Sequence, residues 1–169
     1  MRDEYVFEVL NKSHDRQGFS CGVEPLDTYF HRQAGQDRDR HLAGVFVLRK
    51  ANSNEVLGYY TLSSAEVNAT VLPNEVLKTL GRYPIFPATL IGRLAVDNRY
   101  QDQGIGRLLL MNALERSYHS DIGAALVVVD PLDAAVLPFY TKYGFQELLG
   151  HAPRLFITMR TIKKLITGS

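Results

Sequence analysis

The sequence predicts a three-layer α/β or α+β domain, a mixed sheet with helices on both faces. Three observations carry that expectation. Apolar runs of strand length alternate with helix-periodic segments along the chain. One run, Ala124–Val129, is continuously apolar, as in a strand buried on both faces. No repeat, low-complexity tract or linker interrupts the 169 residues, and the longest polar stretch is Gln36–His41, so residues 1–169 are expected to form one domain.

Tyr5–Leu10 is apolar and partly β-branched, which suits a first strand. Cys21-Gly22 reads as a turn. Pro25 fits the first turn of a helix, where its missing N–H costs nothing. Leu26, Tyr29, Phe30 and Ala34 follow at helical spacing. Leu42–Leu48 and Val56–Leu62 read as strands of a hairpin around the loop Ala51-Asn52-Ser53-Asn54. Pro73–Leu80 is a short helix closed by Gly81. Tyr83–Pro87 reads as a proline-bounded loop and Thr89–Val96 as a strand. Gly104–Tyr118 is a helix with apolar residues at 105, 108, 109, 113 and 114. Asp133–Tyr143 is a helix stopped by Gly144. Phe145–Leu148 and Leu155–Met159 are the last strands, and Lys163-Lys164 falls in an expected solvated tail.

Composition removes several classes of function. Hydrophobic residues make up 46% and charged residues 22%, ordinary values for a globular protein with a full core. The single cysteine, Cys21, excludes an internal disulfide and fits a reducing cytoplasm. Met1-Arg2-Asp3-Glu4-Tyr5 is charged and leads straight into strand-like sequence, unlike a signal peptide. No apolar run approaches the roughly 20 residues that span a bilayer. The expectation is a cytoplasmic protein with no membrane partner. His14, His31, His41, His119 and His151 show no ligand spacing, so no metal is expected. Ser63 and Ser64 lack a nucleophile elbow. A net charge of +1 is thin for a nucleic-acid binder, so any such role must rest on local clusters.

The most informative stretch is LIGRLAVDNRYQDQGIGRLLL, Leu90–Leu110. A strand runs into a polar loop, then Gln101-Asp102-Gln103-Gly104-Ile105-Gly106, then an apolar helix. Glycines let a backbone approach a ligand closely. The first N–H groups of a helix have no internal partner, and the helix dipole makes that end positive. Together they form an anion cradle suited to a pyrophosphate. A dinucleotide fold would need a third glycine where Leu109 stands and an acid where Ala124 stands. A P-loop would need G-K-[ST], which is absent.

The stretch instead matches Q-x-x-G-x-G through Gln101, Gly104 and Gly106. Downstream, Asp133-Ala134-Ala135-Val136-Leu137-Pro138-Phe139-Tyr140-Thr141-Lys142-Tyr143-Gly144-Phe145 resembles N-x-x-A-x-x-F-Y-x-x-x-G-F. Both blocks, in this order, resemble the GNAT acetyltransferases. The resemblance implies the GNAT fold, a splayed, mostly antiparallel mixed sheet, with acetyl-CoA as cosubstrate. It implies that the backbone of Leu94 and Val96 bonds pantetheine. The amides of Gln103, Gly104, Gly106 and Arg107 would hold the pyrophosphate, and Gln101 is counted with them among the cofactor-binding residues. Phe139 would pack under the cofactor arm, and Tyr140 would be the general acid. Asp133 stands where many members have Asn, which puts its contact to coenzyme A in question.

The chemistry agrees with the role of Tyr140. Amine attack on a thioester expels a thiolate whose thiol has a pKa of about 8.5, and a tyrosine near 10 can donate to it. The bland alternative is a core aromatic on a helix. No strong general base stands out. An α-amine with a pKa of about 7.7–8.0 needs less help than a lysine near 10.4, which favours an α-amine acceptor. Glu66 and Asp97 read as surface or structural carboxylates, with water-mediated base as the alternative.

Further segments resemble one subgroup, the GNAT toxins that acetylate aminoacyl-tRNA. They are Phe19-Ser20-Cys21-Gly22 with Leu26, Asp27 and Tyr29, then Gly58–Ser63, Tyr83-Pro84 with Pro87, and Gly92–Asp97. The implied partners are aminoacyl-tRNA and a ribbon-helix-helix antitoxin, with a homodimer left open. Local basic sets for RNA are Arg32, Arg38, Arg40 and His41, and Arg82, Arg93, Arg99 and Arg107; Arg82 and Arg93 are the candidate acceptor contacts. The alternatives are acetylation of a small amine or a protein N-terminus, or a non-catalytic CoA-binding fold.

Overall fold

The computed structural model describes residues 4–150 and 153–168. Met1-Arg2-Asp3 and His151, weighed above, lie outside the described residues. Seven strands form a sheet in the order β1-β2-β3-β4-β5-β7-β6. They are β1 (Tyr5–Val9), β2 (Gly44–Lys50), β3 (Val56–Asn68), β4 (Ile85–Val96), β5 (Leu126–Val129), β6 (Gln146–Glu147) and β7 (Leu155–Thr158). The α-helices are α1 (Glu24–Thr28), α2 (Ala34–Asp39), α3 (Asn74–Leu80), α4 (Ile105–Tyr118), α5 (Leu137–Thr141) and α6 (Met159–Thr167). The described residues pack into two compact units, 4–63 with 92–113, and 64–91 with 114–150 and 153–168.

In the first unit β1, β2 and the start of β3 form an antiparallel meander, with Phe7 opposite Leu48 and Val47 opposite Tyr59. Alternation along β3 then serves two faces. Tyr59 joins the cluster with Phe19, Tyr29, Phe30 and Ala95, and its hydroxyl donates to the Leu26 carbonyl at 2.7 Å. Phe30 stacks on Tyr59 at 4.3 Å, and Phe19 meets Phe30 edge-on at 5.0 Å. Gly58 and Tyr60 face the other way, onto α4, where the Tyr60 hydroxyl donates to Asn112. Each fully buried aromatic of this kind contributes about 1.5–3 kcal/mol through burial. Pro25 sits in the first turn of α1, as expected, and a π-helical turn, Tyr29–Gln33, joins α1 to α2.

In the second unit the first half of β4 pairs in parallel with β5, from Ala88 opposite Leu126 to Ile91 opposite Val129. All four residues of β5 are buried, as its unbroken apolar run requires. β5 pairs antiparallel with β7, and β7 with β6. Val67, Leu72, Phe86, Ala88, Leu126, Val128 and Phe156 form the core beside them.

Three expectations are corrected. Tyr83–Pro87 is not wholly a loop, because β4 begins at Ile85. Phe86 and Ala88 point inward while Ile85 and Pro87 are exposed, a strand alternation that outweighs the proline. The Pro87 carbonyl still accepts from the Ala125 amide at 2.8 Å, and only its missing N–H is lost to the ladder. The helix expected over 133–143 is split into a 3-10 turn, Ala134–Val136, and α5, with Pro138 in the first turn of the restarted helix. The expected tail is helix α6, capped by the Thr158 hydroxyl on the Thr161 amide and closed by Gly168 in the left-handed region. Ile162 is buried, while Lys163 and Lys164 lie on the exposed face.

A side chain at 58 has no room: a Cβ there would lie 2.6 Å from Leu109 Cδ1 and 2.9 Å from the Ala95 carbonyl. Gly58→Ala is expected to lower stability by about 1–3 kcal/mol, as overpacking does. Urea unfolding followed by circular dichroism measures this, and an unchanged midpoint would count against the packing described.

Candidate functional site

At the end of β4 the chain turns on Asp97, which is only 2% exposed. Its Oδ1 accepts from the Arg99 amide at 2.9 Å and from Arg99 Nε at 2.9 Å. Its Oδ2 accepts from Arg99 Nη2 and the Ser20 amide, each at 3.1 Å. Burial pushes this carboxyl up, but the Arg99 guanidinium and the two amides outweigh it and hold it below the usual carboxylate range. Arg99 also pairs with Glu55 at 2.9 Å, and the Tyr100 hydroxyl donates to Glu55 at 2.7 Å. Asp97 is therefore a structural carboxylate, and Glu66 is an exposed one.

A 3-10 turn, Asn98–Tyr100, leads to the glycine loop. Gln101 Nε2 lies 3.1 Å from the Cys21 carbonyl, 3.1 Å from the Val96 carbonyl and 3.2 Å from Asn98 Oδ1. Its side chain thus braces the loop from behind. The Asn98 amide adds a bond to the Ser20 carbonyl at 2.8 Å. The segment Phe19–Gly22 is consequently a buttress for the loop, a role its sequence did not disclose.

Asp102 and Gly104 take left-handed backbone angles, with φ of 62° and 80°. A Cβ on Gly104 would meet nothing within 4 Å, so its outer side is open. The α4 ladder starts from the Leu108 amide to the Gly104 carbonyl at 3.2 Å. The N–H groups just before it, on Ile105, Gly106 and Arg107, belong to the helix start that needs outside acceptors. Gln103, Gly104 and Arg107 are exposed and Gly106 is half-buried. Leu94 and Val96 lie on the part of β4 that runs on beyond Ile91, where its registered pairing with β5 ends. Loop, helix start and strand end all belong to the first unit.

Asp133, Phe139 and Tyr140 belong to the second unit. Asp133 Oδ1 accepts from the Ala135 amide at 2.7 Å, so this carboxylate caps the 3-10 turn. Phe139 is half-buried and meets Tyr140 edge-on at 5.0 Å, and Phe145 also meets Tyr140 edge-on at 5.4 Å. Tyr140 is 6% exposed. Its hydroxyl makes no hydrogen bond among the described residues, and among those residues no buried side-chain oxygen or nitrogen is left unpartnered. The ring is therefore buried while the oxygen reaches solvent. Burial pushes this phenol up to about 12, which keeps it protonated at neutral pH.

The expected basic sets are only partly free. Arg38 donates to the Leu10 carbonyl and pairs with Asp39, and Arg99 is held by Asp97 and Glu55. Arg32, Arg40, Arg82 and Arg107 are exposed. Arg93 stacks on Tyr29, a pairing no local motif signals. Cys21 is buried, and burial first, then its bond with Asp27, pushes its thiol up to about 12, so it is no nucleophile. Among the described residues no cluster of three or more His, Cys, Asp or Glu could hold a metal, and no helix is long and apolar enough to cross a membrane.

Comparison with known proteins adds the following. The family described as the acetyltransferase (GNAT) domain matches residues 41–147. The tRNA-acetylating toxin of Mycobacterium tuberculosis is 28% identical over 159 residues, 93% of each chain. The solved structure of AtaT complexed with acetyl-methionyl-tRNAfMet is similar with a TM-score of 0.89 and 26% identity, over 96% of this chain and 99% of that one. A tyrosine-to-phenylalanine mutant of the AtaT toxin, bound to the C-terminus of the antitoxin AtaR and acetyl-CoA, is similar with a TM-score of 0.82 and 26% identity, over 98% and 99%.

Gly104→Val places a side chain on the open side of the loop and strains a positive-φ residue. Loss of even one charge-assisted amide contact there should weaken acetyl-CoA binding about 10- to 100-fold. Isothermal calorimetry reads this directly; undiminished affinity in the folded variant would place the pyrophosphate elsewhere.

Proposed function

The chain belongs to the GNAT acetyltransferase family, and from that premise we propose that it is a tRNA-acetylating toxin. It transfers the acetyl group of acetyl-CoA to the α-amine of the amino acid on an aminoacyl-tRNA, and a small antitoxin of ribbon-helix-helix type restrains it. Acetyl-CoA supplies the activated thioester. The amides at the start of α4, with Gln103 and Gly104, receive its pyrophosphate, and Leu94 and Val96 receive its pantetheine. Phe139 packs beside that arm. The family match crosses both compact units, which supports treating residues 1–169 as one catalytic domain, and the setting is the cytoplasm.

The observation that carries the chemistry is Tyr140, a buried phenol with an unbonded hydroxyl held protonated. As the C–S bond breaks, the tyrosine O–H gives its proton to the leaving sulfur, and the amine that attacked the carbonyl carbon loses one to solvent. Asp97 does not serve as base, because its oxygens are engaged by Arg99 and the Ser20 amide. That suits an α-amine, a good part of which is neutral near pH 8. The names of the M. tuberculosis toxin and of the AtaT complexes support the choice of acceptor and of partner. A small-amine acceptor is the second reading, favoured by the net charge of +1 and by the internal pairing of Arg38 and Arg99.

Three outcomes are expected. The protein expressed alone arrests growth, and mass analysis finds acetylated amino acids on tRNA; full growth with active enzyme present and no acetyl-aminoacyl-tRNA would favour the small-amine reading. Tyr140→Phe keeps acetyl-CoA affinity and lowers kcat by about 10²–10⁴-fold, the usual size of general acid catalysis. The kcat/KM profile rises with pH through about 7.7–8.0 as the acceptor amine deprotonates. It shows no fall up to pH 10, since Tyr140 stays protonated there; a descending limb near neutrality would show that another group is the acid.

A further inference from the structure

Arg93 lies on β4 three residues before Val96. Its guanidinium carbon is 3.5 Å from the centre of the Tyr29 ring. The ring is itself fixed. Its hydroxyl donates to Asp37 Oδ2 at 2.8 Å, and Asp37 Oδ1 accepts from Gln33 Nε2 at 2.9 Å. Tyr59 lies nearly parallel to it at 6.4 Å, and Tyr29 is 5% exposed. The π-helical turn Tyr29–Gln33 contains both Tyr29 and Gln33, and such turns concentrate at functional sites.

Arg93 is half-buried and helps hold the Asp37 carboxyl below its usual range, yet it makes no hydrogen bond and no close ion pair among the described residues. Arg38, Arg49, Arg99 and Arg154 are each paired with a carboxylate. No buried nitrogen is left unpartnered among the described residues, so the Arg93 nitrogens face solvent. A flat cation with one face on a ring presents its five N–H groups at its edge, the geometry that grips a phosphate in two places at once. Coenzyme A and RNA both carry phosphate. Strand alternation separates them. Arg93 shares the strand face of Ala95, which packs with Tyr29 and Tyr59, whereas α4, which the glycine loop opens, packs on the Gly58 face of β3.

We infer that Tyr29, anchored by Asp37, is a positioning residue that presents the Arg93 guanidinium to a phosphate of the acceptor RNA near its aminoacylated end. This rests on aminoacyl-tRNA being the acceptor. The affinity for RNA, and not the acetyl transfer itself, then depends on a ring that touches neither substrate.

The test compares aminoacyl-tRNA with an amino-acid methyl ester, which offers the same amine without phosphate. Arg93→Gln should raise KM for aminoacyl-tRNA about tenfold with little change in kcat, leave KM for acetyl-CoA alone, and spare the ester. The logarithmic salt dependence of tRNA binding should become shallower by about 0.7–0.9, one phosphate contact. Tyr29→Leu should reproduce the KM effect and add nothing in the Arg93→Gln background, while Tyr29→Phe, which keeps the ring, should recover most of it. If Tyr29→Leu does not fold, Tyr29→Phe and Arg93→Gln still decide the matter. An unchanged KM for aminoacyl-tRNA in Arg93→Gln overturns the inference, as does an equal loss on the ester or a raised KM for acetyl-CoA. Wild-type enzyme that acetylates the ester but no aminoacyl-tRNA overturns the acceptor reading as well, and so separates the two failures.

Discussion

A carboxylate taken out of water must find acceptable partners for its lone pairs. Asp97 finds four, two amides and two guanidinium nitrogens, and the path of the chain follows from that. The Ser20 amide can reach it only if the Phe19–Gly22 turn lies against the end of β4. The Arg99 amide can reach it only if the chain makes a 3-10 turn at once. With both satisfied, Gln101 falls between the Cys21 and Val96 carbonyls, and Gly104 is left facing outward at the start of α4. The glycine loop is thus shaped by polar groups of its own chain, Asp97 and Gln101 above all.

A second constraint is spatial. β3 serves two neighbours from adjacent positions, an aromatic cluster through Tyr59 and helix α4 through Gly58 and Tyr60. Interiors pack close to crystal density, so a missing side chain at 58 is a shape requirement rather than a gap. It lets α4 lie close against β3, with Leu109 over position 58. The seat of α4 against β3 is set by a residue with no side chain.

Much of this was legible in the sequence. Periodicity located nearly every strand and the long helix, because burial of one face leaves a repeating mark. The glycine loop was legible because few residues tolerate that backbone. The errors share a cause: a local cue was read without its tertiary neighbour. Pro84 and Pro87 suggested a loop, but inward Phe86 and Ala88 made a strand. Lys163-Lys164 suggested a tail, but Met159, Ile162, Leu165 and Ile166 give α6 a full apolar face. Gln101 was expected among the cofactor-binding residues, and its side-chain bonds to the Cys21 and Val96 carbonyls are something that a motif does not disclose. The stacking of Arg93 on Tyr29 joins residues 64 positions apart and leaves no local trace.

The buttress also bears on the chemistry of its one sulfur. Cys21 works through its main chain: its amide donates to Asp27, and its carbonyl accepts from Gln101. The sulfur contributes little, and it stays a thiol because burial and Asp27 disfavour the thiolate. The thiolate is the form that attacks peroxides and disulfides, and this is the chain's one cysteine. Oxidation at Cys21 is therefore disfavoured by the same packing that holds the glycine loop in place.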